Sequence, residues 1–248
     1  MQPRPAGLRL STIPGAEIAA SQKQTAQTLR EAGGEAVFVR TDISSPAEVQ
    51  AMIRCAEESF GGLDCAVNNA VRFIDRQPLA DISEEDWAAT CSVNITGTYL
   101  CMKYEIRAML EHGGGAIVNI GSGRENAGEA GLSWYLGAKQ AIYGMSRCAA
   151  VDYAEKGLRI NAVAPGPMWT PALREKNLER MAEANGWPDD YETREARFMD
   201  LGIFACTSER FGRPADIGTM VAFLASPLSA FVNGANYRVD GGQVQSVN

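Results

Sequence analysis

Residues 116–122, Ala116-Ile117-Val118-Asn119-Ile120-Gly121-Ser122, and residues 133–139, Ser133-Trp134-Tyr135-Leu136-Gly137-Ala138-Lys139, decide how the rest of the chain is read. The first is a short apolar run closed by glycine and a hydroxyl, as a buried parallel strand ends. The second opens a helical stretch reaching about residue 156, with Tyr135 and Lys139 four apart and so on one face. Working outward, the same alternation recurs. Strands are predicted at 8–13, 37–40, 63–68, 116–120 and 159–164, with a last one near 236–239. Between them, 16–32 reads as a helix stopped by Gly33-Gly34. Ser45-Pro46-Ala47-Glu48 supplies an N-cap, a proline at the first helical position and a capping-box glutamate for a helix to about Ser59. Ser83-Glu84-Glu85-Asp86 opens a helical region, kinked near Asn94, that runs to Glu111 and the glycines at 113–115. The last helix is 214–225. Strand and helix in turn predict an α/β fold, a doubly wound parallel sheet in a single domain.

Composition narrows the partners. The 248 residues hold 23 Lys+Arg against 30 Asp+Glu, a net charge of −7, with no basic run. A nucleic-acid groove or an anionic membrane surface needs clustered cations, so no nucleic-acid or membrane partner is expected. A chain of this length buries enough apolar surface to fold without staples. Its scattered cysteines, Cys55, Cys65, Cys91, Cys101, Cys148 and Cys206, form no C-x-x-C pair, so neither a metal site nor a disulfide framework is expected and a reducing cytoplasm is. Met1-Gln-Pro-Arg-Pro lacks the apolar stretch of a signal peptide. One stretch breaks the strand–helix rhythm. Residues 170–213 are rich in charge and carry Met181, Trp187, Phe198, Phe204 and Phe211, which reads as a helical substrate lid or as packing on the body or a neighbouring subunit.

Chemistry concentrates at Ser122, Tyr135 and Lys139. A tyrosine ordinarily titrates near pH 10, so proton exchange near neutrality needs an adjacent cation that favours the phenolate. Lowering that pKa by about three units takes roughly 4 kcal/mol, toward which a close ammonium contributes. Ser122 is placed to donate to a substrate oxygen. The Tyr–Lys spacing alone also fits an ordinary helix pair with a buried tyrosine.

Taken with further motifs in order, these residues resemble the short-chain dehydrogenase/reductase family of the classical type. Asp42 follows a strand where the family places an aspartate beside the adenine, with Ile43 next to it. Val67-Asn68-Asn69-Ala70 resembles the family's N-N-A-G, and Asn94 its catalytic asparagine. Ser122, Tyr135 and Lys139 match its Ser, Tyr and Lys. Pro165-Gly166-Pro167-Met168-Trp169-Thr170 matches the P-G-x-x-x-T turn beside the nicotinamide, and Asp240-Gly241-Gly242 the usual ending. The resemblance implies hydride transfer between NAD or NADP and a secondary alcohol or ketone, with Tyr135 exchanging the proton. It implies that Ser122 polarises the oxygen, that Lys139 holds the ribose hydroxyls, and that Asn94 holds a water linking Lys139 to solvent. Asn94 as a helix-kink residue is the alternative. Asp42, Ile43, Asn68, Asn69, Ala70, Tyr135, Lys139, Pro165, Gly166 and Thr170 become expected cofactor contacts. Met168 and Trp169 are candidate substrate contacts, with ordinary packing as the other reading. A homotetramer or dimer built on the helices at 84–111 and 134–156 is also implied.

The sequence departs from the family at its start. A first strand and the turn T-G-x-x-x-G-x-G, whose amides hold the pyrophosphate, are not found before Asn68. Gly121-Ser122-Gly123 mimics part of it but holds the serine. Counted by resemblance, the strand at 8–13 is the family's second, and roughly 30 residues per βαβ unit leave no room ahead of it. Two readings stay open: a start recorded too late, or a degenerate, non-catalytic member acting through its oligomer surfaces. Val71 stands where the family has glycine. The NAD/NADP selector falls at residues 13–17, where Glu17 favours NAD while Arg9 and Lys23 leave the choice open. His112, the only histidine, is expected at a helix end in a structural role.

Overall fold

A computed structural model describes residues 7–12, 16–124, 127–170, 178–200, 208 and 210–243, with side chains from Lys23 onward except Met199. The elements run β1 (Gly7–Thr12), α1 (Ala16–Glu31), β2 (Glu35–Arg40), α2 (Pro46–Phe60), β3 (Cys65–Asn68), α3 (Glu84–Cys91), a π turn (Ser92–Gly97), α4 (Thr98–Glu111), β4 (Gly115–Ile120), α5 (Ser133–Tyr153), β5 (Leu158–Pro165), α6 (Glu179–Asn185), α7 (Tyr191–Asp200), α8 (Pro214–Ala225) and β6 (Asn236–Val239). Each predicted strand and helix has its counterpart, with ends moved by up to three residues; residue 13, the expected end of the first strand, lies outside the described residues.

Local chemistry sets several of these boundaries. Ser45 caps α2, its Oγ accepting from the Glu48 amide, Pro46 starts the helix, and Gly61 ends it in the left-handed region at φ 77°. The expected capping box is not reciprocal: Glu48 Oε2 accepts from the Asp42 amide at 2.8 Å and so ties the helix start to the end of β2. The stripe Val49, Met52, Ile53 and Ala56 turns inward at helical spacing. The kink near Asn94 takes the form of the π turn between α3 and α4. His112 follows the last residue of α4, at the expected helix end.

All strand pairs are parallel. β3, β4, β5 and β6 form one sheet in that order, with Asn68 opposite Asn119 and Ile120 opposite Val163. β1 and β2 pair with each other, and among the described residues no strand joins β1 to β3. These are the two strands that the family resemblance places on either side of its first strand. Among the described residues the sheet is therefore divided at that place. Helices cover both faces: α4 and α5 enclose Met102, Ile106, Met109, Ile117, Ala150 and Ile160 on one side, and α8 packs Leu224 on Val118 and Val163 on the other.

The described residues of the excursion at 168–213 have a core of their own, with Leu178, Phe198 and Phe211 buried and Trp169, Met181 and Trp187 against them. The excursion's two ends are joined by a bridge between Met168 and Gly212, and the Ser208 amide donates to the Gly241 carbonyl at 3.1 Å. Phe204 lies outside the described residues. No helix among the described residues is long and apolar enough to cross a membrane, and no cluster of metal-binding side chains occurs among them.

Candidate active site

The carboxyl ends of β3, β4 and β5 lie together, the edge at which open parallel sheets place ligands. β4 keeps its pairing with β5 beyond the strand: the Gly121 amide donates to the Val163 carbonyl and the Gly123 amide to the Pro165 carbonyl, both at 2.7 Å. Ser122 is thereby held between two fixed neighbours, 6% exposed, its Oγ accepting from the Arg124 amide at 3.3 Å. Glycine is required in this floor. A Cβ on Gly166 would come within 2.6 Å of Asp240 Cα, and one on Gly123 within 3.0 Å of the Pro165 carbonyl oxygen. The Pro-Gly turn and the C-terminal Asp240 are thus two sides of one contact.

Helix α5 brings Lys139 and Tyr135. Lys139 is 5% exposed, and its Nζ donates to the Ile120 carbonyl at 2.7 Å, at the end of the strand that leads to Ser122. The same Nζ lies 5.6 Å from the centre of the Tyr135 ring. Burial pulls the ammonium pKa down to about 8, because desolvation penalises the charged form. Tyr135 is half-buried, stacked at 21° on Phe73 and edge-on to the buried Trp134. Phe73, 65% exposed, forms the solvent side of this aromatic group. Glu129 forms ion pairs with Arg76 and Arg124, Oε1 lying 2.6 Å from Arg76 Nη1 and Oε2 2.6 Å from Arg124 Nε, which join the chain after β3 to the loop after Ser122.

Not every expected site residue turns toward this edge. Asn94 is buried in the π turn with both side-chain groups spent on Arg72, Oδ1 accepting from its amide at 2.7 Å and Nδ2 donating to its carbonyl at 2.9 Å. It staples the segment after β3 to the helix, and a water held there would rest on its main-chain carbonyl, which also accepts from Thr98 Oγ1. The Asn68 side chain points into the sheet, donating to Glu105 Oε2 and Asn119 Oδ1 at 2.9 Å each. Asn69 is exposed, and Ala70 is half-buried against the α2–α4 core. Asp42 uses Oδ1 on the amide and hydroxyl of Ser44, while Ile43 is buried against Gly97. Pro165, Gly166 and Thr170 are half-buried along the β5 turn. Trp169 stacks on Phe211 at 4.8 Å and meets Tyr191, and Met168 packs on Gly212, so both serve the packing of the excursion. Of the selector region, residues 13–15 and the side chains of Arg9 and Glu17 lie outside what is described; Lys23 lies over Phe38.

Two residues escaped the sequence reading. Glu105 is a carboxylate on the buried face of α4, 4% exposed, with its pKa pushed up to about 7 by burial and pulled back by the Asn68 hydrogen bond. Tyr143 is buried on α5 against Gly121 and Ser122. Each sits at helical spacing within an apolar stripe, which was the available signal.

Comparison with known proteins follows this geometry. The sequence model of a family described as enoyl-(acyl carrier protein) reductase matches residues 12–243. A short chain dehydrogenase/reductase, astE, of Aspergillus oryzae is 36% identical over 229 residues, 92% of this chain and 80% of that one. The chain is a short-chain dehydrogenase/reductase. This short-chain dehydrogenase/reductase is likewise similar to the cis-4-hydroxycyclohexanecarboxylate dehydrogenase of Sinomonas cyclohexanicum, 36% identical over 226 residues, 91% of this chain and 84% of that one. Its fold superposes on a crystal structure of NAD+-bound xylitol dehydrogenase with a TM-score of 0.82 at 26% identity, covering 95% of this chain and 88% of the other. As a short-chain dehydrogenase/reductase it is an oxidoreductase of CH–OH and C=O groups that uses NAD or NADP. The residues present fit the nicotinamide-ribose end of that cofactor. Lys139 carries three donors, of which the Ile120 carbonyl takes one, beside the Tyr135 ring. For the pyrophosphate, no glycine-rich turn of the family pattern occurs among the described residues.

Proposed function

We propose that this dehydrogenase interconverts a secondary alcohol and its ketone on an apolar, ring-bearing small molecule, with Tyr135 as the proton-exchanging group. The observation that carries the reading is the placement of Lys139, buried beside Tyr135 and anchored to the strand that ends at Ser122. The bound cofactor supplies the hydride donor or acceptor. Everything else is done by the chain. Tyr135 gives its phenolic proton to the developing alkoxide or takes it from the alcohol, and the Lys139 ammonium favours the phenolate. Ser122 donates to the same oxygen and sets its angle. Lys139 also serves the ribose hydroxyls, and the Asn94 carbonyl is the candidate support for a water that passes protons onward. Phe73 and Trp134, flanking Tyr135, offer an apolar wall to a ring. The relative named for a hydroxycyclohexanecarboxylate supports that substrate class. Exposed Trp87, Tyr99 and Val151 on α3, α4 and α5 support a homo-oligomer built on those helices.

The test is titration of the purified chain with NADH and NADPH by nicotinamide fluorescence, followed by turnover of cyclic and open-chain ketones beside Tyr135→Phe. Micromolar binding with faster reduction of the cyclic ketones is expected. A folded chain that binds neither cofactor at millimolar concentration sinks the reading. The division between β1–β2 and the larger sheet then becomes the reason to favour a non-catalytic role.

A further inference from the structure

Helix α5 meets the strand end at more than the reacting pair. Tyr143 lies one turn beyond Lys139 and two beyond Tyr135, on the same face. It is buried, and its phenolic oxygen reaches both main-chain groups of Ser122: Oη accepts from the Ser122 amide at 3.2 Å and donates to the Ser122 carbonyl at 3.3 Å. Lys139 meanwhile donates to the Ile120 carbonyl. Consecutive turns of one helix therefore grip alternate residues of the strand that ends in the serine. On the opposite side the same stretch is paired to β5 through Gly121 and Gly123.

Between these grips stands Gly121. A Cβ there would fall on the Tyr143 hydroxyl and the ring carbon that bears it. Glycine at 121 and tyrosine at 143 are thus a matched pair, the missing side chain of one being the space of the other. An apolar side chain at 143 would leave the Ser122 amide and carbonyl buried without that partner, which costs more than the hydrogen bonds themselves contribute.

We propose that Tyr143 is the positioning residue for Ser122: it fixes the serine backbone to α5, so that the serine hydroxyl and the Tyr135 phenol keep one spacing across the substrate oxygen. The proposal rests on the function proposed above for Ser122 and Tyr135, and it deepens that reading. Tyr143 touches neither substrate nor cofactor in this role, so its removal acts on the turnover step and leaves cofactor affinity alone.

The test uses the full chain and two readouts. Tyr143→Phe keeps the ring and removes only the hydroxyl. Amide hydrogen exchange at Ser122, read by NMR, is expected to quicken about tenfold, the effect of one lost hydrogen bond. In turnover the same variant is expected to lose at least about tenfold in kcat, with KM for the cofactor unchanged. Unchanged exchange at Ser122 overturns the proposal whether or not the chain is active, so its failure is separable from failure of the proposed reaction. Unchanged kcat in an active enzyme overturns it as well. The pairing with Gly121 supplies a second check. Gly121→Ala is expected to lower Tm, and adding Tyr143→Val to restore Tm without restoring kcat. Restoration of both would make Tyr143 a packing residue only.

Discussion

The end of β4 and the excursion at residues 168–213 are built on opposite plans. Around Ser122 the chain is pinned by polar groups at almost every residue: strand pairing through Gly121 and Gly123, Lys139 on Ile120, Tyr143 on Ser122, and Asn68, Asn119 and Ser146 joined beneath. The described part of the excursion packs through rings, Trp169 on Phe211 and Phe198 on Phe211, with a bridge between Met168 and Gly212 joining its ends. Directional bonds fix angles, whereas stacked rings keep a region closed and tolerate sliding. On the proposed function, the molecule separates a part that holds the reacting atoms still from a part that can change with the substrate.

The sharpest way to break that contrast is at the reacting end. Tyr135→Phe is expected to lower turnover by about 10²–10⁴-fold, the usual worth of a positioned acid–base group, while cofactor binding by fluorescence stays within twofold or so. Loss of binding as well would mean that the phenol holds ligand and not the proton.

Next comes the excursion. Phe198→Ala removes a fully buried ring, a change that costs about 3–5 kcal/mol in a packed core. Limited proteolysis should then cut within residues 178–200 while the sheet stays intact, with KM for substrate raised and kcat little altered. Collapse of the whole fold at the same temperature would show that the two regions are one cooperative unit.

Glu105 sharpens the picture beneath the site. Its folded-state pKa lies at about 7, above the ordinary value of 4.5, so it contributes most to stability below pH 4.5 and loses that contribution as pH rises to 7. The difference is on the order of 3 kcal/mol. Glu105→Gln keeps an acceptor for Asn68 without the charge and should be the more stable protein at pH 8, the advantage vanishing toward pH 5 in urea titrations. Cys65 and Cys101, whose thiols are pushed up by burial and by Glu105, and Arg159 are the other groups facing this region. A pH-independent difference between the two proteins would refute the buried charge.

The smallest effect belongs to the rim. Arg76→Ala breaks one arm of the partly exposed pair with Glu129 and should cost less than about 1 kcal/mol in thermal unfolding, with kcat unchanged.

Much of this was legible beforehand, for reasons that can be named. Strands announce themselves as apolar runs, and α2 and α8 carry their own start signals in Ser45-Pro46 and Pro214. The kink at Asn94 and the placing of Tyr135 and Lys139 on one face of α5 followed from spacing, and the parting of β1 and β2 from the larger sheet from the strand count. Direction was not legible. Asn68, Met168 and Trp169 sit where expected along the chain but turn inward or onto the excursion, because a neighbour distant in sequence claims each side chain: Glu105, Gly212 and Phe211 respectively. Tyr143 and Glu105 went unread for the same reason, since a polar tip on an apolar stripe reveals its purpose only once its partner is known.

The close approach of Gly123 and Gly166 to Asp240 also bears on how the molecule comes into being. The crevice floor joins residues separated by nearly half the chain, and such distant contacts form late in folding. During synthesis the serine strand and its helix emerge long before the segment that closes beneath them. On the proposed function, the chemistry of the site is withheld from the nascent polypeptide until residues 236–242 have been made, and a chain interrupted earlier should carry Ser122, Tyr135 and Lys139 and still be inert.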